Sequence, residues 1–310
     1  MSTTTSNEII RVEGSVTSYV NPFQPLFDMV LNSVSDKTKR DYARALNDFM
    51  TWYVDTNQTT LNKACLNAHL QFLRDQGTPV SSQNQRLSAL RKFVAEAADN
   101  GLIGEAVAQG INRVKPTKIQ GRKMGNWLTK AQASQMLNAP DTTTLKGKRD
   151  KAVLAIMLGC GLRREELTTL TIDHLQQREG RWVITDLQGK HHRVRSIPMA
   201  GWIKGHIDTW LQSAGITDGL LFRQIRRHGV IVYDNAMSVD GIWDIVKLYS
   251  PVPNLAPHDL RRTFAKLAHK GGASIEQISM SLGHADIKTT QIYLGVELDL
   301  ENAPSDFINL

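Results

Sequence analysis

Six side chains in the second half of the chain have types and spacings suited to phosphate chemistry. Arg163 precedes Glu166 by three residues in Gly161-Leu162-Arg163-Arg164-Glu165-Glu166-Leu167, so on a helix the two share a face. A carboxylate one turn away can hold a guanidinium in place as an oxyanion clamp. An ordinary surface ion pair is the plain alternative. His258 and Arg261 are also three apart, directly after Pro257, and could reach one phosphate with two donors. His284 follows Leu282-Gly283 at what reads as a helix end, and Tyr293 comes nine residues later. Taken singly, these residues read equally well as surface polar groups and a core tyrosine.

The elements that must carry them can be read from periodicity. The N-terminal part is helical: Ser35 and Asp36 can cap a helix with Tyr42, Leu46, Phe49, Trp52 and Tyr53 on one face. Leu66, Leu70, Phe72 and Leu73 mark a second helix, ended near Gly77-Thr78-Pro79. Leu87, Leu90, Phe93, Val94 and Ala97 mark a third, and a short fourth covers 104–113. This predicts a small helical bundle. In the C-terminal part, Thr129 caps a helix through Leu137, and Lys151 to Leu158 belong to another. Strands are expected at 181–186 and 193–198 around a turn at Gln188-Gly189-Lys190. Helices follow at 199–212, 239–249, 258–269 and 275–282, with one around Tyr293.

The predicted fold class is therefore mainly α, with a small antiparallel sheet in a mixed C-terminal domain. The boundaries read as a flexible N-terminus over 1–24, a helical domain over 25–114, a basic linker over 115–128, a catalytic domain over 129–296 and a tail over 297–310.

At 310 residues, with 41% hydrophobic and 22% charged side chains, the chain can bury a core in each of two domains. Disordered, collagen-like and coiled-coil classes are excluded. The net charge is +7, which permits a polyanionic partner without requiring one. Between Glu105 and Asp141 there is no acid but six basic residues, among them Lys118, Arg122 and Lys123. That stretch reads as a linker of one charge sign, or as a solvated loop. Arg86, Arg91 and Lys92 could face DNA or be ordinary surface charges.

Two distant cysteines, Cys65 and Cys160, exclude a disulfide framework and a cysteine-based zinc site. A reducing cytoplasmic compartment is the simplest expectation. Met1 to Val20 lacks an apolar signal core, and the longest apolar run, Ala152 to Leu162, is about half of what crosses a bilayer. His191 and His192 would point to opposite faces of a strand, which disfavours a metal site. No phosphate-binding loop for a nucleotide is present. No cofactor and no metal are therefore expected.

Together, and in this order, the site residues resemble the tyrosine site-specific recombinases, the phage integrase family. The likeness is close over 257–293: His258-x-Leu260-Arg261, Thr263-Phe264-Ala265, Gly271-Gly272, Ile278, Leu282-Gly283-His284, Ile287, and Thr289-Thr290 before Tyr293. It extends back through Arg149-Asp150-Lys151-Ala152 and Gly161-Leu162-Arg163, and more weakly to the N-terminal bundle, which resembles the family's core-binding domain.

The resemblance implies a nucleophilic Tyr293 that forms a 3′-phosphotyrosine. It implies that Arg163 and Arg261 bind the non-bridging oxygens, that His258 assists proton transfer, that His284 bonds the phosphate and that Glu166 supports the site. It also implies a hairpin lysine as general acid. Lys190, the only lysine between Lys151 and Lys204, lies in the predicted turn. His191-His192-Arg193 departs from the family's usual Gly/Asn/Lys-rich turn, and Arg262 stands where many members carry His.

The implied partner is double-stranded DNA with a specific site, held in a clamp by the two domains, with Arg193 and the linker residues among the contacts. A homotetramer on two sites is implied, with the apolar tail docking on a neighbour or packing on its own domain. The N-terminal stretch is too short for a separate arm-type domain, so the layout resembles the simpler Xer-type, Cre-like or transposon-borne members. An accessory protein is compatible with the chain, and no membrane is involved. A type IB topoisomerase-like enzyme and a catalytically silent DNA-binding protein are the alternatives.

Overall fold

The computed structural model describes residues 24–118, 126–188 and 194–295. They fall into two compact units divided between residues 123 and 124. Lys190 to Arg193, Arg122, Lys123 and the tail from residue 296 lie outside the described residues.

The first unit holds five helices: α1 (Gln24–Asn32), α2 (Asp36–Asp55), α3 (Lys63–Asp75), α4 (Val80–Asp99) and α5 (Glu105–Asn112). Helix α4 touches each of the other four. Its Leu87, Leu90, Phe93 and Val94 meet Phe27, Leu46, Phe49, Leu66, Leu70 and Ile111 in one core. Sequence periodicity foresees four of these helices and misses α1, whose short apolar face Leu26-Phe27-Val30 closes the bundle. Phe72, expected on the buried face of α3, is 39% exposed. It lies at the rim of a ring cluster made by Trp52 and His69.

The second unit is built on α7 (Leu145–Cys160), which is preceded by α6 (Lys130–Asn138). Thr129 and Gln132 form a reciprocal capping box at α6, and Thr144 caps α7. From Ala152 to Met157 every residue of α7 is buried, because α6, α9, α10 and α11 surround it. An all-round apolar helix is a core helix, and this accounts for the run that was half a membrane span in length. Among the described residues no helix is long and apolar enough to cross a membrane.

Helix α8 (Arg164–Thr168) leads to a three-stranded antiparallel sheet of β1 (Leu175–Arg178), β2 (Arg181–Gln188) and β3 (Val194–Pro198), with β2 central. Helix α9 (Gly201–Ala214), a two-stranded sheet of β4 (Arg223–Ile225) and β5 (Ile231–Ala236), and α10 (Val239–Leu248) follow. Helices α11 (Pro257–Lys270), α12 (Ile275–Leu282) and α13 (Ile287–Leu294) complete the described part. The predicted fold class is thus observed, with β1 and the β4–β5 pair in addition to the two expected strands.

Candidate active site

Helix α7 ends at Gly161, whose φ is +62°. A Cβ there would sit 2.6 Å from Phe264 Cδ1 of α11, so this left-handed cap requires glycine on two counts. The chain then turns through Leu162 and enters α8 with Arg163 at its N-cap. Glu166 Oε2 accepts the Arg163 backbone N–H at 2.8 Å, and Glu166 Oε1 accepts Arg163 Nη1 at 2.8 Å. The carboxylate therefore satisfies an orphan helix donor and fixes the guanidinium of the same residue.

Helix α11 begins at Pro257, and Asp259 accepts the Ala256 N–H at 2.9 Å. That closure presents His258 at the surface on the first turn. Arg261, one turn on, is 1% exposed. Its Nη1 donates to Gly161 O at 2.6 Å and its Nη2 to Leu282 O. Its Nε is buried without a partner.

Helix α12 stops at Gly283, with φ +61°, and delivers His284. His284 Nδ1 pairs with the hydroxyl of the fully buried Thr290 at 2.8 Å, which leaves Nε2 for another group. Helix α13 is anchored by Leu294 against Ala265, Ile278 and Leu282.

Beside that anchor, the Tyr293 hydroxyl is hydrogen-bonded to His258 Nε2. The Tyr293 ring meets His258 and His284 edge-on, with centroids 5.4 and 5.1 Å away. Arg262 lies over its face at 5.2 Å and donates to Asp259 Oδ1 at 3.3 Å. Residues 130 positions apart in sequence are thus brought to one point by the ends of α7, α11, α12 and α13.

The electrostatics follow from this crowding. Burial lowers the His258 pKa, and Arg261 and Arg262 lower it further. The same causes, burial and then Arg261 and Arg163, push His284 down to about 4. Both imidazoles are therefore neutral near pH 7. Burial raises Tyr293 above its ordinary value, while Arg261, Arg262 and Arg163 pull against it. Burial, and then Arg163, lower Arg261. Glu166 is held below its ordinary value because Arg195 and Arg163 outweigh the effect of burial.

Of the residues singled out from sequence, Arg163, Glu166, His258, Arg261, His284 and Tyr293 come together. Lys190 and Arg193 lie outside the described residues. In the first unit, Arg86 is paired with Asp48 at 2.8 Å, and Arg91 Nη2 donates to Val114 O. Lys92 is half-buried and Lys118 exposed.

Two residues of the site are not singled out by sequence. Arg262 reads only as a departure from a pattern, and Arg195 as one cation of a basic stretch; Arg195 donates to both Glu166 oxygens at 2.9 and 2.8 Å and from Nε to Ser281 O at 2.9 Å. Nothing in the spacing of β3 signals this reach. Among the described residues no cluster could hold a metal ion.

A tyrosine hydroxyl on a neutral imidazole, flanked by fixed guanidiniums, is a set of groups suited to phosphoryl transfer. Comparison with known proteins gives the class. Residues 126–298 match the phage integrase family, residues 29–101 match the N-terminal SAM-like domain of phage integrases, and the chain belongs to this family of site-specific tyrosine recombinases.

It is 28% identical over 288 residues to the tyrosine recombinase XerD of Pseudomonas aeruginosa, covering 87% of this chain and 92% of that one. It is 32% identical over 276 residues to the putative integrase/recombinase y4rC of Sinorhizobium fredii, covering 85% and 82%. Its fold is similar to the Tn1549 transposon integrase solved with circular intermediate DNA (TM-score 0.67, 17% identity, 92% and 98% covered). It is also similar to the XerH site-specific recombinase bound to its difH substrate (TM-score 0.64, 16% identity, 89% and 81% covered).

Proposed function

We propose that this recombinase cleaves double-stranded DNA at a specific site through Tyr293. The observation that carries the reading is the Tyr293 hydroxyl resting on His258 Nε2 beside His284, Arg163 and Arg261. In the forward step the Tyr293 oxygen attacks the phosphorus while its proton passes to His258 Nε2. The bond from phosphorus to the 5′-oxygen breaks, leaving a 3′-phosphotyrosine, and the 5′-oxygen takes a proton to leave as a hydroxyl. Lys190 is the proposed donor of that proton.

Free tyrosine has a pKa near 10, so a neutral base at its hydroxyl and cations at its ring are what activation needs. Arg163 and Arg261 oppose the charge that builds on the non-bridging oxygens, and His284 Nε2 adds a further contact to the phosphate. Glu166 supports the site by holding Arg163. Rejoining is the same path reversed, with a 5′-hydroxyl from the second duplex as attacker. No metal or nucleotide is required, because the phosphotyrosine bond retains the energy for resealing.

The wider reading extends the same logic. The first unit, residues 25–114, binds DNA through faces that include Arg86, Arg91 and Lys92. The linker over 115–128, with Lys118, Arg122 and Lys123, and Arg193 add phosphate contacts. Four copies act on two sites in the cytoplasm, and the tail over 297–310 docks on a neighbouring copy. Binding then weakens steeply with salt, since each phosphate contact releases counterions.

The test is covalent capture. Wild type and Tyr293→Phe are incubated with fragmented genomic DNA of the source organism in EDTA and denatured, and the DNA ends still bound to protein are sequenced. Discrete ends from wild type alone are expected. Ends from both proteins, or a strict need for Mg²⁺, would refute the mechanism.

A further inference from the structure

Arg195 is placed where it joins three parts of the site. It lies on β3, opposite Leu187 of β2, on the strand that follows Lys190 in the chain. Both ends of its guanidinium fork rest on Glu166, at 2.9 Å to Oε1 and 2.8 Å to Oε2. Its Nε reaches the carbonyl of Ser281, in the last turn of α12.

The next carbonyl, that of Leu282, accepts from Arg261 and, at 3.5 Å, from Arg163. Three guanidiniums thus hold the end of the helix that presents His284, where orphan carbonyls and the helix dipole favour cations. The Arg195 side chain is 9% exposed, and its fork is committed to a carboxylate. Its charge is therefore directed to Glu166, whereas the fork of Arg261 rests on neutral carbonyls. The stem is committed too, because a Cβ on Gly283 would lie 2.9 Å from Arg195 Cδ.

We infer that Arg195 is a positioning residue for strand cleavage, locking the β2–β3 hairpin arm, the Glu166–Arg163 clamp and the His284 turn into one rigid unit. The inference rests on the reading of Tyr293 as the DNA nucleophile. Its physical content is that Glu166 has two guanidinium partners, one on each side. Arg163 approaches from the N-cap of α8 and Arg195 from β3, while Arg261 of α11 adds positive charge without a direct bond. Removing Arg195 leaves the carboxylate held from one side only, so Arg163 is free to tilt with it. The Ser281 carbonyl loses its donor at the same time. Displacement of a catalytic group by about 1 Å can cost about 100-fold in rate.

The experiment measures single-turnover cleavage of a nicked duplex built on the DNA ends recovered by the covalent capture. Wild type, Tyr293→Phe, Arg195→Met, Arg195→Lys, Glu166→Gln and the double variant Arg195→Met/Glu166→Gln are compared, with DNA affinity and thermal unfolding measured alongside. Arg195→Met is expected to cleave about 100-fold more slowly at unchanged DNA affinity. Its acid limb should also lie at higher pH than the wild-type limb set by His258, because a buried Glu166 with one partner fewer takes up a proton more readily. The double variant lacks that displacement. A merely structural role would lower the folding transition without displacing the acid limb.

Arg195→Lys supplies one charge without the fork. It is expected to return the acid limb to the wild-type position and recover only part of the rate, and it carries the test if Arg195→Met does not fold. Wild-type cleavage by both Arg195 variants, or a loss matched by lost DNA affinity, would overturn the inference. No covalent DNA from wild type would instead sink the reading of Tyr293, and this inference with it.

Discussion

Replacing Arg262 by methionine removes a cation from the face of Tyr293 while keeping a side chain of similar reach. The guanidinium lies 5.2 Å from the ring centroid. A unit charge at that distance from a phenolate is worth about 3 kcal/mol at an effective dielectric of 20. Arg262 is partly exposed and shared with Asp259 at 3.3 Å, so screening reduces this to about 1 kcal/mol. That is a little under one pKa unit. The same cation lowers His258, so both groups respond to its loss.

The sign follows for each. Without Arg262 the Tyr293 pKa rises further above its ordinary value, and the His258 pKa climbs back toward its own. His258 must be neutral to accept the proton, so the acid limb of cleavage moves up in pH. Tyr293 is harder to deprotonate, so the alkaline limb moves up as well. The whole pH profile should shift to alkaline by under one unit. Arg262→Lys should hold the profile in place. The assay is single-turnover cleavage of a nicked duplex across the neutral and alkaline range. A profile that stays in place in Arg262→Met, or one whose limbs move in opposite directions, would refute the reasoning.

Three further substitutions test the packing of each unit. Asp150 is fully buried and accepts from Arg149 at 2.8 and 3.0 Å, from Lys146 at 2.8 Å and from the Tyr249 hydroxyl at 3.2 Å. Asp150→Ala strands Arg149 in the core and should cost about 3–5 kcal/mol in denaturant unfolding, while the Tyr249 pKa, pushed up to about 12 by burial and Asp150, falls. In the first unit His69 is 1% exposed with neither nitrogen partnered, and burial lowers its pKa to about 4. The unfolded chain then binds the extra proton, so stability is full above pH 6.5 and declines by about 3 kcal/mol as pH falls toward 4; His69→Leu should flatten that part of the slope in pH-dependent unfolding. Gly283→Ala places a Cβ against Arg195 in a left-handed backbone, and should lower the folding transition and slow cleavage together.

Helices α2 to α5 and α9 to α12 were legible because their apolar spacing is 3.6-like and their ends carry Ser, Thr, Gly or Pro. Helix α7 was read from its apolar run alone; its polar opening from Leu145 belongs to the helix through the Thr144 cap. Strand β1 is Leu-Gln-Gln-Arg and almost wholly exposed. It is a strand only because β2 offers it a ladder, which no local pattern encodes. The β4–β5 turn uses His228 at φ +69° before Gly229, outside the usual Asn-Gly and Asp-Gly signals.

For the site, periodicity placed Arg163 with Glu166 and His258 with Arg261, each pair within one turn. Their convergence with His284 and Tyr293 came from family likeness, since it depends on how four helix ends meet. Arg195 shows the limit, because its partners lie 29 and 86 residues away.

The charge balance gives the arrangement its catalytic sense. Arg163, Arg195, Arg261 and Arg262 face Glu166 and Asp259, while His258 and His284 are kept neutral by burial and by those same cations. Four guanidiniums against two carboxylates leave a surplus of two positive charges in a partly buried space. The strain of that surplus shows in Arg261, whose pKa burial and Arg163 both depress and whose Nε has no partner. A bound phosphodiester supplies one negative charge. As phosphorus becomes five-coordinate and the tyrosine proton leaves, the reacting group approaches about two negative charges. The proton taken up by His258 stays in the site, so the net charge is unchanged through the step; what grows is the negative charge on the phosphorus oxygens that face the guanidiniums, and an attraction that grows toward the transition state is the condition for binding energy to appear as rate.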